Sequence, residues 1–175
     1  MTMRARSLEL NLVNTEAVGA ADIDGRNRAL RALDLLPTGG RGPHAPNISP
    51  EHAAYMLLGL GSASVAADAG RAAKRYASFV NPAAPKAGTL LIYLTDLLSH
   101  PDAANKIEEV RMCRTHPWVM IVAADGQRVI YRPPNEKHTG TKDYMTGGRE
   151  EYVIGARLLH QIAIDIALNQ DWPGE

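Results

Sequence analysis

The sequence predicts an α+β protein that is mainly helical, in which a small antiparallel sheet packs with a long C-terminal helix. Three observations support this fold class. Up to residue 99, apolar side chains recur at the three-to-four-residue spacing of amphipathic helices. Beyond residue 110, apolar and polar residues alternate on either side of Asp125-Gly126, a sequence typical of a two-residue hairpin turn. Residues 149–170 then return to helical spacing.

Length and composition limit the class of protein. A chain of 175 residues is long enough for one medium domain or two small ones with a real core. No run approaches the roughly 18–20 apolar residues of a membrane span, and residues 1–12 lack the pattern of a secretory signal. The single cysteine, Cys113, excludes internal disulfides and thiolate zinc sites. We therefore expect a cytoplasmic protein without a membrane partner.

Charge is balanced overall but unevenly distributed. The formal net charge is zero, which argues against indiscriminate binding to polyanions. Residues 1–86 contain ten Lys or Arg and seven Asp or Glu, whereas residues 87–175 contain nine and twelve. This difference can arise by chance. It also fits a basic binding half joined to an acidic half that contacts another partner.

The N-terminal part contains a predicted cationic helix. After a break at residues 19–22, a helix is predicted over residues 24–36 with Asp24 as its N-cap. Its leucines share one face, and Arg28 and Arg31 project from the opposite face. Arg26 and Asn27 lie in the first turn, where a DNA-recognition helix usually makes its base contacts.

A Gly/Pro-rich arm follows this helix. Residues 34–47 hold three glycines and three prolines, which disfavour a continued helix and predict an exposed, partly extended excursion. The arm carries Arg41 and His44 at its tip. Ser49-Pro50 then predicts a new helix, because serine caps helix N-termini and proline suits the first helical position.

The next segments lead to a predicted domain boundary. A helix is predicted over residues 64–79, and three cations near its C-terminus suit either the negative end of the helix dipole or a phosphate contact: Arg71, Lys74 and Arg75. Residues 81–88 contain two prolines and a glycine, so they predict a linker. The expected organisation is a helical domain over residues 1–80 and an α+β domain over residues 89–175.

The second domain is predicted to begin with a helix over residues 89–99. Three antiparallel strands follow, around residues 110–112, 118–122 and 127–132. A polar loop is expected over residues 133–148. The helix predicted over residues 149–170 has an apolar face broad enough to cover the sheet and to meet a second copy of the chain.

Residues 19–36, followed by Pro37 and the arm, resemble the winged helix-turn-helix of MerR-type regulators and of phage excisionase-like or small-terminase-like proteins. The resemblance covers about the N-terminal third of the chain. It implies a DNA-binding surface in which the helix enters the major groove and the arm acts as the wing. By this resemblance the DNA-binding residues are Arg26, Asn27, Arg28 and Arg31 on the helix, with Thr38, Arg41 and His44 on the wing.

These features predict a sequence-specific, double-stranded-DNA-binding homodimer, a transcriptional regulator of phage or mobile-element type. The acidic half would provide self-association or bind a protein partner. The alternative is a protein–protein interaction module, such as an inhibitor or adaptor, without DNA contact. No cofactor, metal site or enzyme activity is predicted. The histidines lack metal-ligand spacing, and Cys113 and His116 would point to opposite faces of a strand.

Overall fold

The computed structural model describes residues 12, 18–39, 46–134 and 150–170. Within these ranges the α-helices are α1 (Ala20–Arg31), α2 (Pro50–Ser62), α3 (Ala69–Ala77), α4 (Leu90–Ser99), α5 (Pro101–Ala104) and α6 (Ala156–Gln170). The strands are β1 (Ile107–Cys113), β2 (Trp118–Ala123), β3 (Arg128–Tyr131) and β4 (Glu151–Gly155). Arg41, His44 and most of the loop predicted over residues 133–148 lie outside the described residues.

The four strands form one antiparallel sheet in the order β3-β2-β1-β4. The α+β class and the three predicted strands are confirmed, and Gly126 takes a positive φ of 83° in the β2–β3 turn. The prediction of an uninterrupted helix over residues 149–170 is wrong, because Glu151–Gly155 forms β4 beside β1. Tyr152, Val153 and Ile154 are types that favour strands, and the helix begins only after Gly155.

Helix α1 also differs from its predicted bounds. It begins at Ala20 with Gly19 as N-cap, so Asp24 is not the cap but lies inside the helix. The regular helix ends at Arg31, and Asp34 adopts a positive φ of 57° in the turn that follows. Leu35 and Leu36 are buried after this turn, which brings the chain back against the core.

Helix α2 begins as predicted. The Ser49 hydroxyl accepts a hydrogen bond from the His52 backbone N–H at 3.2 Å, and the Ser49 backbone N–H donates to His52 Nδ1 at 3.2 Å. This reciprocal pair is a capping box, with Pro50 in the first turn. Burial lowers the pKa of His52 from its ordinary value, and the nearby Glu51 carboxylate acts in the opposite direction.

The C-terminal turn of α2 lies between α1 and the sheet. Gly59 and Gly61 allow this approach, because a Cβ on Gly59 would meet the Leu30 side chain and a Cβ on Gly61 would overlap the Met112 sulfur. From the sheet side, Arg114 donates to the carbonyls of Leu60 at 3.1 Å and Gly61 at 2.9 Å. It also forms an ion pair with Glu150 at 2.5 Å.

Helix α3 is fixed on two sides. The Tyr76 hydroxyl donates to the Cys113 carbonyl oxygen at 2.5 Å, and burial raises the pKa of Tyr76 to about 12. On another side, Gly70 lies against the backbone of Ala29 in α1, so closely that a Cβ on Gly70 would overlap the Ala29 carbonyl oxygen. The absence of a Cβ at position 70 therefore permits the close spacing of α1 and α3.

The main hydrophobic core includes residues from both sides of the segment 81–88. Leu57 of α2, Leu94 of α4 and Ile162 of α6 all belong to it. Thr89 caps α4, whose start agrees with the predicted one. The division into domains at residues 81–88 stays a prediction. No helix in the described ranges combines the length and the apolar character needed to cross a lipid bilayer.

We predict that Gly70→Ala destabilises the protein by about 1–3 kcal/mol, because the added methyl group must push α1 and α3 apart. Helix propensity alone would favour the substitution by roughly 0.5–1 kcal/mol, so the sign of the change tests the contact. Chemical denaturation measures the free energy of unfolding. Gly155→Ala is the control, since its Cβ would meet no atom within 4 Å. Unchanged or higher stability in Gly70→Ala would contradict the close contact between Gly70 and the Ala29 backbone.

We predict a pH-dependent contribution of His52 to stability. Its pKa is lower in the folded state than the ordinary 6.5, so the neutral ring is favoured by folding. The contribution is present above about pH 6.5 and is lost as the pH falls through the folded-state pKa. A protonated Nδ1 cannot accept the Ser49 N–H, so acidification removes one of the two hydrogen bonds of the capping box.

The measurement is urea denaturation at pH 7.5 and pH 5 for the wild type and for His52→Gln. Glutamine at this position can complete the same capping box without titrating in this range. Acidification should therefore cost the wild type more stability than the variant. Equal losses in the two proteins would contradict the role assigned to His52.

Candidate nucleic-acid interface

The outer face of α1 carries an exposed arginine. The Arg28 side chain is 71% exposed and forms an ion pair with Asp24 at 2.9 Å, and the Asp24 side chain is 61% exposed. Ile23 and Leu30 are buried on the opposite face. An ion pair between two such exposed groups is worth about 0–1 kcal/mol, so Arg28 can exchange Asp24 for another anion at little cost.

Arg26 does not lie on this outer face, contrary to the sequence-based prediction. It is 7% exposed, and its guanidinium group donates to the carbonyls of Gly59 at 3.0 Å and Ala63 at 2.9 Å. Its Nε donates to the Asp22 carboxylate at 2.6 Å. The side chain points toward α2 because Arg26 lies three residues after Ile23 and four before Leu30, a spacing that places all three on the inner face of α1. Arg26 therefore has a structural role.

Asn27 is also buried, at 2% exposure, so the prediction that it faces DNA is wrong. It lies four residues after Ile23 on the inner face of α1. The remaining predicted residues fall into three groups. Arg31 is half-buried in the last turn of α1, Thr38 is exposed beyond that helix, and Arg41 and His44 lie outside the described residues.

Three further cations lie on the neighbouring helix α3. Arg71, Lys74 and Arg75 are all exposed, and Arg71 forms an ion pair with Asp68 at 2.5 Å. By sequence alone these cations suit either the helix dipole or a phosphate contact. Their helix packs against α1, since Gly70 lies against the backbone of Ala29.

Two further candidate groups, Cys113 and His160, make structural contacts. Cys113 is buried, as expected for a structural cysteine, and its Sγ accepts the backbone N–H of His116 at 3.4 Å. His160 is half-buried, with Nδ1 3.2 Å from the carbonyl oxygen of Pro101. Within the part of the chain that the structure describes, no cluster of three or more His, Cys, Asp or Glu side chains could hold a metal ion.

Comparisons with protein-family models, curated proteins and solved structures gave no match. Among the described residues, the exposed cations of α1 and α3 are the feature that bears on function.

We predict that the two neighbouring arginines of α1 differ sharply in their contribution to stability. Arg26→Met should cost about 2–4 kcal/mol, because it leaves buried carbonyls of α2 without their donor. Arg28→Met, the matched control, should cost less than about 0.5 kcal/mol, because its ion pair is exposed. Chemical denaturation of both variants is the measurement. Similar values for the two would contradict the inward orientation of Arg26.

Proposed function

We propose that the protein binds double-stranded DNA through the outer face of α1. The observation that carries the proposal is the exposed Arg28, which within the described residues forms a solvent-exposed ion pair on a helix whose opposite face is anchored in the core. A short helix with a cationic outer face can lie in the major groove of DNA. Arg26 and Asn27 are not part of this surface.

Base contacts are assigned to Arg28 and Arg31. These residues are three positions apart in α1, so their side chains leave neighbouring positions of the helix surface. Arginine can form two parallel hydrogen bonds to the O6 and N7 atoms of guanine, which is the commonest specific contact in the major groove. The segment that begins at the exposed Thr38 and contains Arg41 and His44 would contact phosphates and set the position of the helix.

A second copy of the chain would complete the interface. One copy offers few cations, whereas a homodimer on a two-fold site doubles the contacts. The C-terminal half supports self-association in two ways. In the described ranges no strand pairs with the outer edge of β4, and Leu168 of α6 is 69% exposed. Regulation of transcription in a phage or mobile element is the corresponding biological role, and it rests on the sequence resemblance.

We predict that the purified protein selects particular sequences from a pool of random DNA duplexes. Because a homodimer is proposed, the selected sequences should contain two half-sites related by two-fold symmetry. Arg28→Glu combined with Arg31→Glu should weaken binding to the selected duplex about 100-fold or more, since each bidentate arginine–guanine contact is worth about 1–3 kcal/mol. Fluorescence anisotropy measures the dissociation constant. Circular dichroism checks that the variant remains folded.

The control is Lys106→Glu with Arg128→Glu, which makes the same change in net charge at exposed positions outside α1 and α3. This variant should bind the selected duplex nearly as tightly as the wild type. If the wild type retains no duplex, the DNA-binding proposal is overturned. Capture of a defined protein partner by the same material would then support the alternative, an inhibitor or adaptor.

A further inference from the structure

Helix α3 presents a line of cations that the resemblance to winged helix-turn-helix proteins did not include. Arg71, Lys74 and Arg75, which we call the α3 strip, are all exposed. The Arg71 side chain is 78% exposed, and its partner Asp68 is 51% exposed. Lys74 and Arg75 form no ion pair with any acidic residue in the described ranges. The strip therefore has positive charge that these acidic residues do not neutralise.

The packing of α1 on α3 places this strip beside Arg28. Gly25 lies close to Ala66 just before α3, and Ala29 lies against Gly70, so the two helices run in the same direction along their contact. Lys74 follows Gly70 by one turn and leaves α3 on the same side of that helix. The strip therefore borders α1 along the contact line.

The exposed faces of the two helices also point the same way. The inner face of α1 packs on α2 through Leu30, and the inner face of α3 packs on the core through Ala73 and Tyr76. Since both helices bury the sides directed at the core, their exposed sides lie on the same side of the α1–α3 contact. Arg28 and the α3 strip therefore lie on the same side of the α1–α3 pair, together with Asp24 and Asp68, the exposed partners of Arg28 and Arg71.

We infer that the α3 strip contacts the phosphate backbone of the DNA whose bases α1 reads. This inference rests on the proposed DNA-binding function and extends its surface. Arg71 and Arg75 are one helical turn apart, about 6 Å along the axis, so they can contact separate phosphates of one strand. Contacts of this kind position a protein on the duplex without reading its sequence.

The other role available to these cations is to stabilise α3. Lys74 and Arg75 lie in its last turn, where positive charge favours the negative end of the helix dipole. That role affects the stability of the protein and leaves the salt dependence of DNA binding unchanged. Phosphate contact affects the salt dependence, because each neutralised phosphate releases counterions and contributes about 0.9 to the slope of log K against log salt.

The test is Lys74→Gln with Arg75→Gln in the full chain. The dissociation constant is measured for the selected duplex and for an unrelated duplex at several salt concentrations. The slope should become smaller in magnitude by about 2, and binding to both duplexes should weaken by the same factor. Lys74→Arg with Arg75→Lys should retain the wild-type slope. The matched control is Lys106→Gln with Arg128→Gln, which removes two exposed charges elsewhere and should also leave the slope unchanged.

Each result has a distinct meaning. An unchanged slope in the Lys74→Gln, Arg75→Gln variant would overturn the α3 assignment while the DNA-binding proposal stands. A changed sequence preference, with the slope unaltered, would also overturn it, because the strip would then read bases. If the wild type binds no duplex, the proposed DNA-binding function is overturned, and the α3 assignment that rests on it is overturned as well. Thermal unfolding of each variant separates these results from a loss of folded protein.

Discussion

The C-terminal turn of α2 is the constraint on which the rest of the structure depends. The last carbonyl groups of an α-helix have no partner inside the helix, and in α2 this end is buried. The helix has no basic residue in its own last turn. Arg26 from α1 and Arg114 from the turn after β1 donate to these carbonyls instead. The end of α2 is therefore satisfied only when both α1 and the sheet are in place.

Glycines allow close approaches both at this turn and between α1 and α3. Gly59 and Gly61 leave room for side chains from α1 and β1, and Gly70 leaves room for α1 on α3. With the inner face of α1 held by Arg26 and Leu30, Arg28 is necessarily directed outward. The proposed interface thus follows from the core. Arginines two positions apart in one helix thus have opposite environments, one binding buried carbonyls and the other exposed to solvent.

Several elements could be predicted because their signals are local. The Ser49-Pro50 start of α2 and the helix after Thr89 each depend on a few neighbouring residues, and the structure agrees with them. The chain also reverses at Asp125-Gly126 as predicted, but the turn is one residue longer than the predicted two, because the Ala123 N–H donates to the Gln127 carbonyl oxygen. The apolar pattern of residues 151–155 did not distinguish strand β4 from the helix that follows it. Its apolar pair Val153 and Ile154 continues the spacing of α6, and only pairing with β1 identifies it as a strand.

The sequence by itself determined the α+β class, the Ser49 and Thr89 helix caps and the excess of positive over negative charge in the N-terminal half. Only the tertiary structure decided which of those cations are available to a ligand. The physical reason is that a guanidinium group can satisfy buried carbonyls as well as it can bind an external anion. Whether the Arg26 side chain is buried or exposed depended on the position of α2, whose carbonyl at Gly59 lies more than thirty residues away along the chain. The alignment of α1 with α3, which brings the α3 strip next to Arg28, likewise depended on a contact at Gly70 that no local pattern shows.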